Sequence, residues 1–148
     1  MIKAIHSQYV VDASVAAKWF THHDEPDREK ALALRELHRT RQCRLTFPEF
    51  ALLEVLNAVR FSHRAEEADT TEALAVLRDL QLQIEPLDWE LLRKATAIAW
   101  AYRAALYDAA YVALAERLGF PCVTADEALL KKMKGHSIVL RLRDMDLS

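Results

Sequence analysis

Five short apolar or β-branched segments alternate along the chain with longer segments of helical periodicity, and few folds accommodate that order. The predicted strands cover residues 8–11, 44–46, 83–86, 121–124 and 137–140. The predicted helices cover residues 14–20, 27–40, 49–62, 66–80, 88–103, 106–118 and 127–134. Strands that alternate with helices form βα units on a parallel sheet, whose ligands gather beyond the carboxyl ends of the strands.

The composition favours one globular α/β domain. The chain has 148 residues, 52% of them hydrophobic, so it can bury a core without disulfides or a structural metal. Cys43 and Cys122 are far apart and form no C-x-x-C pair, which excludes a zinc ribbon and a redox motif and favours a reduced, cytoplasmic setting. With no apolar run of membrane-spanning length, export signal, linker or repeat, we expect a single domain over residues 1–148 and no membrane association.

The glycine content excludes several common nucleotide-binding and catalytic loops. Gly119 and Gly135 are the only glycines in the sequence. Dinucleotide-binding loops and Walker A loops each need several glycines for a close backbone approach to phosphate, and a nucleophile elbow needs glycines around a serine. The net charge of −2 also argues against binding of nucleic acid by overall electrostatic attraction, although a local basic patch stays compatible with it.

Two carboxylates interrupt otherwise apolar helical segments. Every residue from Phe50 to Val59 is apolar except Glu54 and Asn57, so we expect a buried helix with Glu54 buried in it. Glu54 then requires a cation, a metal or a hydrogen-bonding partner; a salt bridge to a buried Arg or Lys is the structural alternative to a metal site. Asn57, one turn further on, is expected to orient Glu54.

Asp108 is the only charged residue between Ala104 and Ala115. A role as helix N-cap is the ordinary explanation for an isolated aspartate of this kind. A role as a ligand to a metal ion is the alternative explanation.

Two more aspartates directly follow predicted strands. Asp12 follows the first strand and Asp126 follows the fourth, and a cap or turn role is the ordinary alternative for each. A capping box would account for Thr124 and Glu127 but not for Asp126. The adjacent histidines at 22 and 23 fall in an acidic, proline-containing stretch that is typical of a solvated loop rather than a metal site.

The four acidic residues fall at strand ends or inside apolar helices, and in a parallel α/β fold these places meet at one edge of the sheet. Clustered carboxylates repel one another, and such a cluster is tolerable mainly when it binds a hard divalent cation. The sequence therefore predicts a site for Mg²⁺ or Mn²⁺.

These segments, in this order, resemble the PIN-domain ribonucleases of the VapC toxin type. The matching segments are Val10–Val15 with Lys18–Phe20, Phe47–Glu49 with Leu53–Ala58, Tyr107–Ala115 with Leu118–Gly119, and Val123–Asp126. Each segment alone is a weak signal. The ordered set, over about residues 8–140, is a specific one.

The resemblance implies a PIN-like fold with a five-stranded parallel sheet, and an acidic pocket of Asp12, Glu54, Asp108 and Asp126 that holds the metal. It implies a metal-dependent endoribonuclease, the toxin of a type II pair held inactive by a cognate VapB-type antitoxin. Ser14 becomes a candidate supporting residue, with a helix N-cap as its alternative. We also expect a homodimer.

An RNA substrate requires local positive charge on a protein that is acidic overall. Lys18, Arg60 and Arg64 are the candidate substrate-binding residues, the two arginines because they follow Glu54 by about two turns. A further basic cluster comprises Lys131, Lys132, Lys134 and His136, for which a solvated helix face is the ordinary explanation. Trp19 and Phe20 are candidate antitoxin anchors, with core packing as the alternative.

Two other functions remain open from the sequence. One is a non-cleaving RNA-binding or regulatory module that keeps the fold. The other is a DNA nuclease, although 148 residues leave little room for the arches or basic insertions that recognition of DNA structure requires.

Overall fold

A parallel five-stranded sheet forms the centre of the molecule. The structure, a computed structural model, describes residues 7–21 and 25–148. The strands are β1 (Ser7–Val11), β2 (Cys43–Pro48), β3 (Gln83–Glu85), β4 (Cys122–Thr124) and β5 (Val139–Arg141), in the order β3-β2-β1-β4-β5, all parallel. The predicted α/β class, strand number and parallel arrangement are confirmed.

The helices lie close to their predicted positions. They are α1 (Ala13–Ala17), α2 (Arg28–Arg39), α3 (Phe50–Arg60), α4 (Glu67–Asp79), α5 (Trp89–Tyr102), α6 (Leu106–Leu118) and α7 (Glu127–Lys132). The first predicted helix is shorter than expected because the chain tightens into a 3₁₀ turn over Lys18–Phe20. Gly119 ends α6 with a left-handed φ of +75°, which a residue with a Cβ adopts only under strain. No helix in the described ranges is long and apolar enough to cross a membrane.

The order of the strands places a switch point between β1 and β4. From β1 the chain builds β2 and β3 on one side, and then returns to place β4 and β5 on the other. Tyr9, Val10 and Val11 of β1 are fully buried, as expected for a central strand covered on both faces. In sheets of this kind the crevice for a ligand opens beyond the carboxyl ends of the two strands at the switch.

Helix α3 is only half buried, and the expectation of a helix buried on all sides is wrong. Ala51, Val55 and Val59 form its buried stripe, whereas Leu53 is 73% exposed. The helix packs on α1, α4 and β2. The many apolar residues of α3 suggested more burial than the structure shows, because its exposed face also carries apolar side chains such as Leu53.

Candidate active site

The four predicted carboxylates converge beyond the carboxyl ends of β1 and β4. Asp12 directly follows β1, and Asp126 lies two residues after β4. Glu54 comes from the middle of α3 and Asp108 from the first turn of α6. Electrostatic repulsion links Asp12 to the other three and Asp108 to Asp126, so the four charges share one neighbourhood.

Asp12 is the most deeply buried of the four, with 6% of its surface exposed. Its Oδ2 accepts hydrogen bonds from Ser14 Oγ at 2.5 Å and from Thr124 Oγ1 at 2.9 Å. Burial raises the pKa of Asp12, the two hydroxyls lower it, and the charge of Asp126 raises it again. The side chain does not cap α1, so the cap alternative does not explain it.

Glu54 is held by a tyrosine and not by a buried cation. Tyr111 Oη donates to Glu54 Oε1 at 2.7 Å and accepts from the backbone N–H of Ala13 at 3.3 Å. Burial raises the pKa of Glu54, the Tyr111 hydroxyl lowers it, and the charges of Asp12 and Asp108 raise it further. Burial also raises the pKa of Tyr111, which therefore stays protonated as a donor.

Sequence reasoning missed Tyr111, although a signal for it was present. The residue lies three positions after Asp108 in an apolar helix, where a buried tyrosine hydroxyl must find a partner. The salt bridge from Glu54 to a buried Arg or Lys, the structural alternative to a metal site, is not formed among the described residues.

Asp108 does not cap its helix. Ala105 is the N-cap residue of α6, which puts Asp108 at the third helical position. Its side chain accepts no hydrogen bond from any residue within the described ranges. Burial and the charges of Asp12 and Asp126 raise its pKa, and Lys132 lowers it. Asp108 is thus the least engaged of the four carboxylates.

Asp126, in contrast, is a genuine helix cap. Its Oδ1 accepts from the backbone N–H groups of Ala128 at 2.9 Å and Leu129 at 3.2 Å, so it is the N-cap of α7. The predicted capping box is wrong. Thr124 lies within β4 and donates to Asp12 instead, while Glu127 pairs with Arg141 at 3.2 Å.

Two hydroxyls connect the ends of β1 and β4. Ser14 lies inside α1 and is not its N-cap. Besides donating to Asp12, Ser14 Oγ accepts from the N–H of Ala125 at 2.9 Å, and Thr124 Oγ1 accepts from the N–H of Asp126 at 3.0 Å. The loop after β4 is therefore fixed directly against Asp12.

The remaining predicted polar residues lie outside this network. Asn57 is exposed, and its side chain makes no hydrogen bond to Glu54, so the expected orienting contact is not formed. Arg60 is exposed at the end of α3, with its guanidinium over the Phe61 ring, and Arg64 is exposed in the loop that follows. Lys18 is half-buried and pairs with Glu25 at 3.8 Å.

Trp19 belongs to the core, as the alternative of core packing predicted, although it also borders the cavity described below. Only 4% of the side chain is exposed, its Nε1 donates to the carbonyl of Ala31 at 2.9 Å, and its ring stacks on Phe47 at 6.1 Å between centroids. Phe20 is half-buried and lines a cavity of about 250 Å³ between the 3₁₀ turn, α2 and α4. The histidines at 22 and 23 lie outside the described residues.

The chemistry of the donor set fits a hard divalent cation. All four side chains offer oxygen, and burial, with a smaller contribution from mutual repulsion, raises the pKa of three of them, which a cation would oppose. As the side chains stand, no group of three or more His, Cys, Asp or Glu residues in the described part of the chain is close enough together to hold a metal ion. Binding of a cation by this set would therefore require side-chain rotation, and Asp108 is the carboxylate that no side-chain hydrogen bond among the described residues restrains.

Comparisons with known proteins agree with this architecture. The crystal structure of PAE2754 from Pyrobaculum aerophilum is 26% identical and has a TM-score of 0.63, covering 95% of this chain and 93% of that one. A toxin–antitoxin complex from Klebsiella pneumoniae is 14% identical, with a TM-score of 0.65 and coverage of 90% and 97%.

A third structure, VapC20 from Mycobacterium tuberculosis, is described as a sarcin–ricin loop cleaving toxin. It is 17% identical, with a TM-score of 0.59 and coverage of 83% and 93%. The second and third likenesses concern the fold alone. No curated protein matches the chain. The family model of the PIN domain matches residues 9–135, and because this match spans most of the sequence, the chain belongs to the PIN-domain family.

Proposed function

We propose that this protein is a metal-dependent endoribonuclease that acts as the toxin of a type II toxin–antitoxin pair. One observation carries the proposal: Asp12, Glu54, Asp108 and Asp126, from four separate elements, converge at the switch point of a PIN-domain sheet. Solved structures with the same fold include toxin–antitoxin complexes and a toxin that cleaves the sarcin–ricin loop.

Asp12, Glu54 and Asp108 would hold Mg²⁺ or Mn²⁺, with Asp126 completing the site. When bound, the ion neutralises a non-bridging phosphate oxygen and lowers the pKa of its water. Ser14 and Thr124 fix the Asp12 carboxylate, and Tyr111 fixes that of Glu54. Asp108 has both carboxylate oxygens available to bind the ion or to accept a proton from the attacking water.

Arg60 and Arg64 would contact the RNA backbone, since both are exposed and follow Glu54 along α3 and its loop. Lys18 would contribute less, because it is half-buried and paired with Glu25.

A VapB-type antitoxin would occupy the cavity beside Phe20. This cavity carries both signs of charge, from Arg28 and Arg35 on one side and Asp69 and Glu72 on the other. An antitoxin segment with apolar and charged side chains is complementary to it. Coexpression of a small gene found directly beside this one should relieve growth arrest caused by this protein. Growth arrest that the gene does not relieve would contradict the pairing.

We further propose a homodimer in a reduced, cytoplasmic setting, where Cys43 and Cys122 stay free thiols. Trp100 and Leu106 are exposed around a cavity at the corner between α5 and α6, which supports a contact between copies here. Sedimentation analysis should give a dimer that Trp100→Ala weakens. A monomer at micromolar concentration would contradict it.

The activity is tested by incubating the purified protein with a randomised RNA pool, and with DNA of the same sequences, in Mn²⁺ or EDTA. We expect divalent-dependent cleavage of RNA that Asp108→Asn abolishes. Asp79→Asn is the matched control, because Asp79 is an exposed aspartate near the amino ends of β1 and β2, away from the site. Cleavage of DNA alone would identify a DNA nuclease, and RNA binding without cleavage a regulatory module.

A further inference from the structure

A row of three aromatic rings runs from the surface of the molecule to Glu54. Tyr107 contacts Phe50 edge-on, with 5.6 Å between ring centroids, and Phe50 contacts Tyr111 in the same manner at 5.1 Å. Tyr111 in turn donates its hydroxyl to Glu54. The innermost ring therefore belongs to the site, and the outermost adjoins it.

Tyr107 is held in place and yet exposed. It lies in the first turn of α6, directly before Asp108, and 63% of its surface is accessible. Phe50, which is half-buried, supports one side of the ring and leaves the rest open. A ring that is already oriented loses little conformational freedom when a planar group stacks on it.

One cation, Lys132, lies close enough to the carboxylates to lower the pKa of Asp108. The residues directly before Glu54 and Asp108 are the exposed and apolar Leu53 and Tyr107. Stacking on an exposed ring would add to the affinity that Lys132, Arg60 and Arg64 offer through phosphate contacts.

The planar group that we expect at Tyr107 is a nucleobase, because the proposed substrate is RNA. A phosphodiester bound at the carboxylates carries its own ribose and base, and Tyr107 directly precedes Asp108 in the first turn of α6, where a flanking base can reach it. Stacking on an aromatic side chain requires that this base be unpaired, because paired bases of an RNA helix keep their faces inside the stack.

We propose that Tyr107 is a stacking platform for an unpaired base beside the scissile phosphate, and that it thereby sets the base preference next to the cut. This inference rests on the proposed function. Removal of an aromatic ring on which one base stacks typically weakens affinity by roughly 5- to 100-fold.

The first experiment compares Tyr107→Ala and Tyr107→Phe with the wild-type protein on a randomised single-stranded RNA pool in saturating Mn²⁺. We expect Tyr107→Ala to raise KM by about 5- to 100-fold with a smaller effect on kcat, and to weaken the base preference next to the cut. Tyr107→Phe keeps the ring and should restore both.

The matched control is Trp89→Ala. Trp89 is 88% exposed, and it begins α5 next to Asp88, which pairs with Arg117 in the last turn of α6. It is therefore an exposed aromatic residue at the opposite end of α6 from Tyr107, and its removal should leave KM unchanged.

A second experiment measures binding without turnover. In the Asp108→Asn background, a single-stranded RNA containing 2-aminopurine should show fluorescence quenching that Tyr107→Ala abolishes, and its duplex form should show none. An unchanged KM and unchanged quenching in Tyr107→Ala would overturn the inference. A Tyr107→Ala protein with a changed sedimentation coefficient and an unchanged KM would also overturn it, because Tyr107 would then belong to a contact between copies of the chain. Failure of the wild-type protein to cleave any RNA in Mn²⁺ would instead refute the proposed function, and the inference with it.

Discussion

Three hydroxyl groups orient two of the four carboxylates. Ser14 and Thr124 donate to Asp12, and Tyr111 donates to Glu54. Because these donors are neutral, they fix the positions of the carboxylates without cancelling their charges. The carboxylates consequently keep the negative charge that a cation would bind.

Removal of the Tyr111 hydroxyl tests this arrangement. Tyr111→Phe should retain the fold with a loss of about 1–2 kcal/mol in the free energy of unfolding, because the Ala13 N–H and Glu54 lose a partner in a mostly buried place. We expect kcat for RNA cleavage to fall at least tenfold with little change in KM. Urea unfolding and steady-state kinetics measure the two effects. Unchanged kcat would show that Tyr111 supports the fold only.

Asp108→Asn should stabilise the metal-free protein at neutral pH. The raised pKa of Asp108 means that folding favours its protonated form, so its contribution to stability is fully present below the ordinary value of 3.8 and is lost as pH rises through the folded pKa. Asparagine resembles the protonated form. The Tm of the variant in EDTA should therefore exceed that of the wild type by up to a few degrees at pH 7, and the difference should vanish towards pH 4. A Tm several degrees lower at pH 7 would assign Asp108 a structural role.

At the scale of secondary structure, the 3₁₀ turn after α1 separates two aromatic residues with different tasks. In the tight turn Lys18–Phe20, Trp19 is buried in the core against Phe47 and Phe20 stays half-buried, while both border the cavity towards α4. A longer α-helix would have rotated both side chains to other directions. One short element thus determines that Trp19 is buried in the core and that Phe20 is only half-buried.

The exchange of each aromatic residue for alanine should separate the two tasks. Trp19→Ala should reduce the free energy of unfolding by about 3–5 kcal/mol, because it empties a core position and removes the bond to Ala31. Phe20→Ala should cost less and should weaken antitoxin binding more than RNA cleavage. Denaturant unfolding and a binding titration are the measurements. A Trp19 variant as stable as the wild type would contradict the core assignment.

At the scale of the whole molecule, four elements far apart in the chain deliver one charge each to a single place. The segments directly after β1 and β4 supply two, and helices α3 and α6 supply the others. The assembled site is electrostatically unfavourable in the absence of a cation, because burial and mutual repulsion act in the same direction on Glu54 and Asp108. Stability of the fold should therefore be linked to metal binding.

Added Mn²⁺ should raise the Tm of the wild-type protein relative to EDTA. A ligand at 100 times its Kd stabilises the folded state by about 2.7 kcal/mol, which corresponds to roughly 5–10 °C for a domain of this size. Asp108→Asn should reduce this shift, and Asp79→Asn should preserve it. Differential scanning calorimetry provides the measurement. An equal shift in all three proteins would place metal binding elsewhere on the molecule.

The order of elements and the candidate carboxylates were readable from the sequence alone. Hydrophobic period and propensity are local properties, so five strands and the helix bounds could be predicted to within a few residues. Glu54 and Asp108 stood out because a single charge in an apolar helical segment is a local anomaly. Asp12 and Asp126 stood out because each follows a strand.

Only the tertiary structure decided which groups meet. The bond from Tyr111 to Glu54 spans 57 residues and that from Thr124 to Asp12 spans 112, and no local pattern encodes such pairs. The same holds for the burial of Trp19 and the exposed face of α3, which depend on the neighbours that each element packs against. Sequence period determines which residues can share a face. The packing of the elements determines what that face touches.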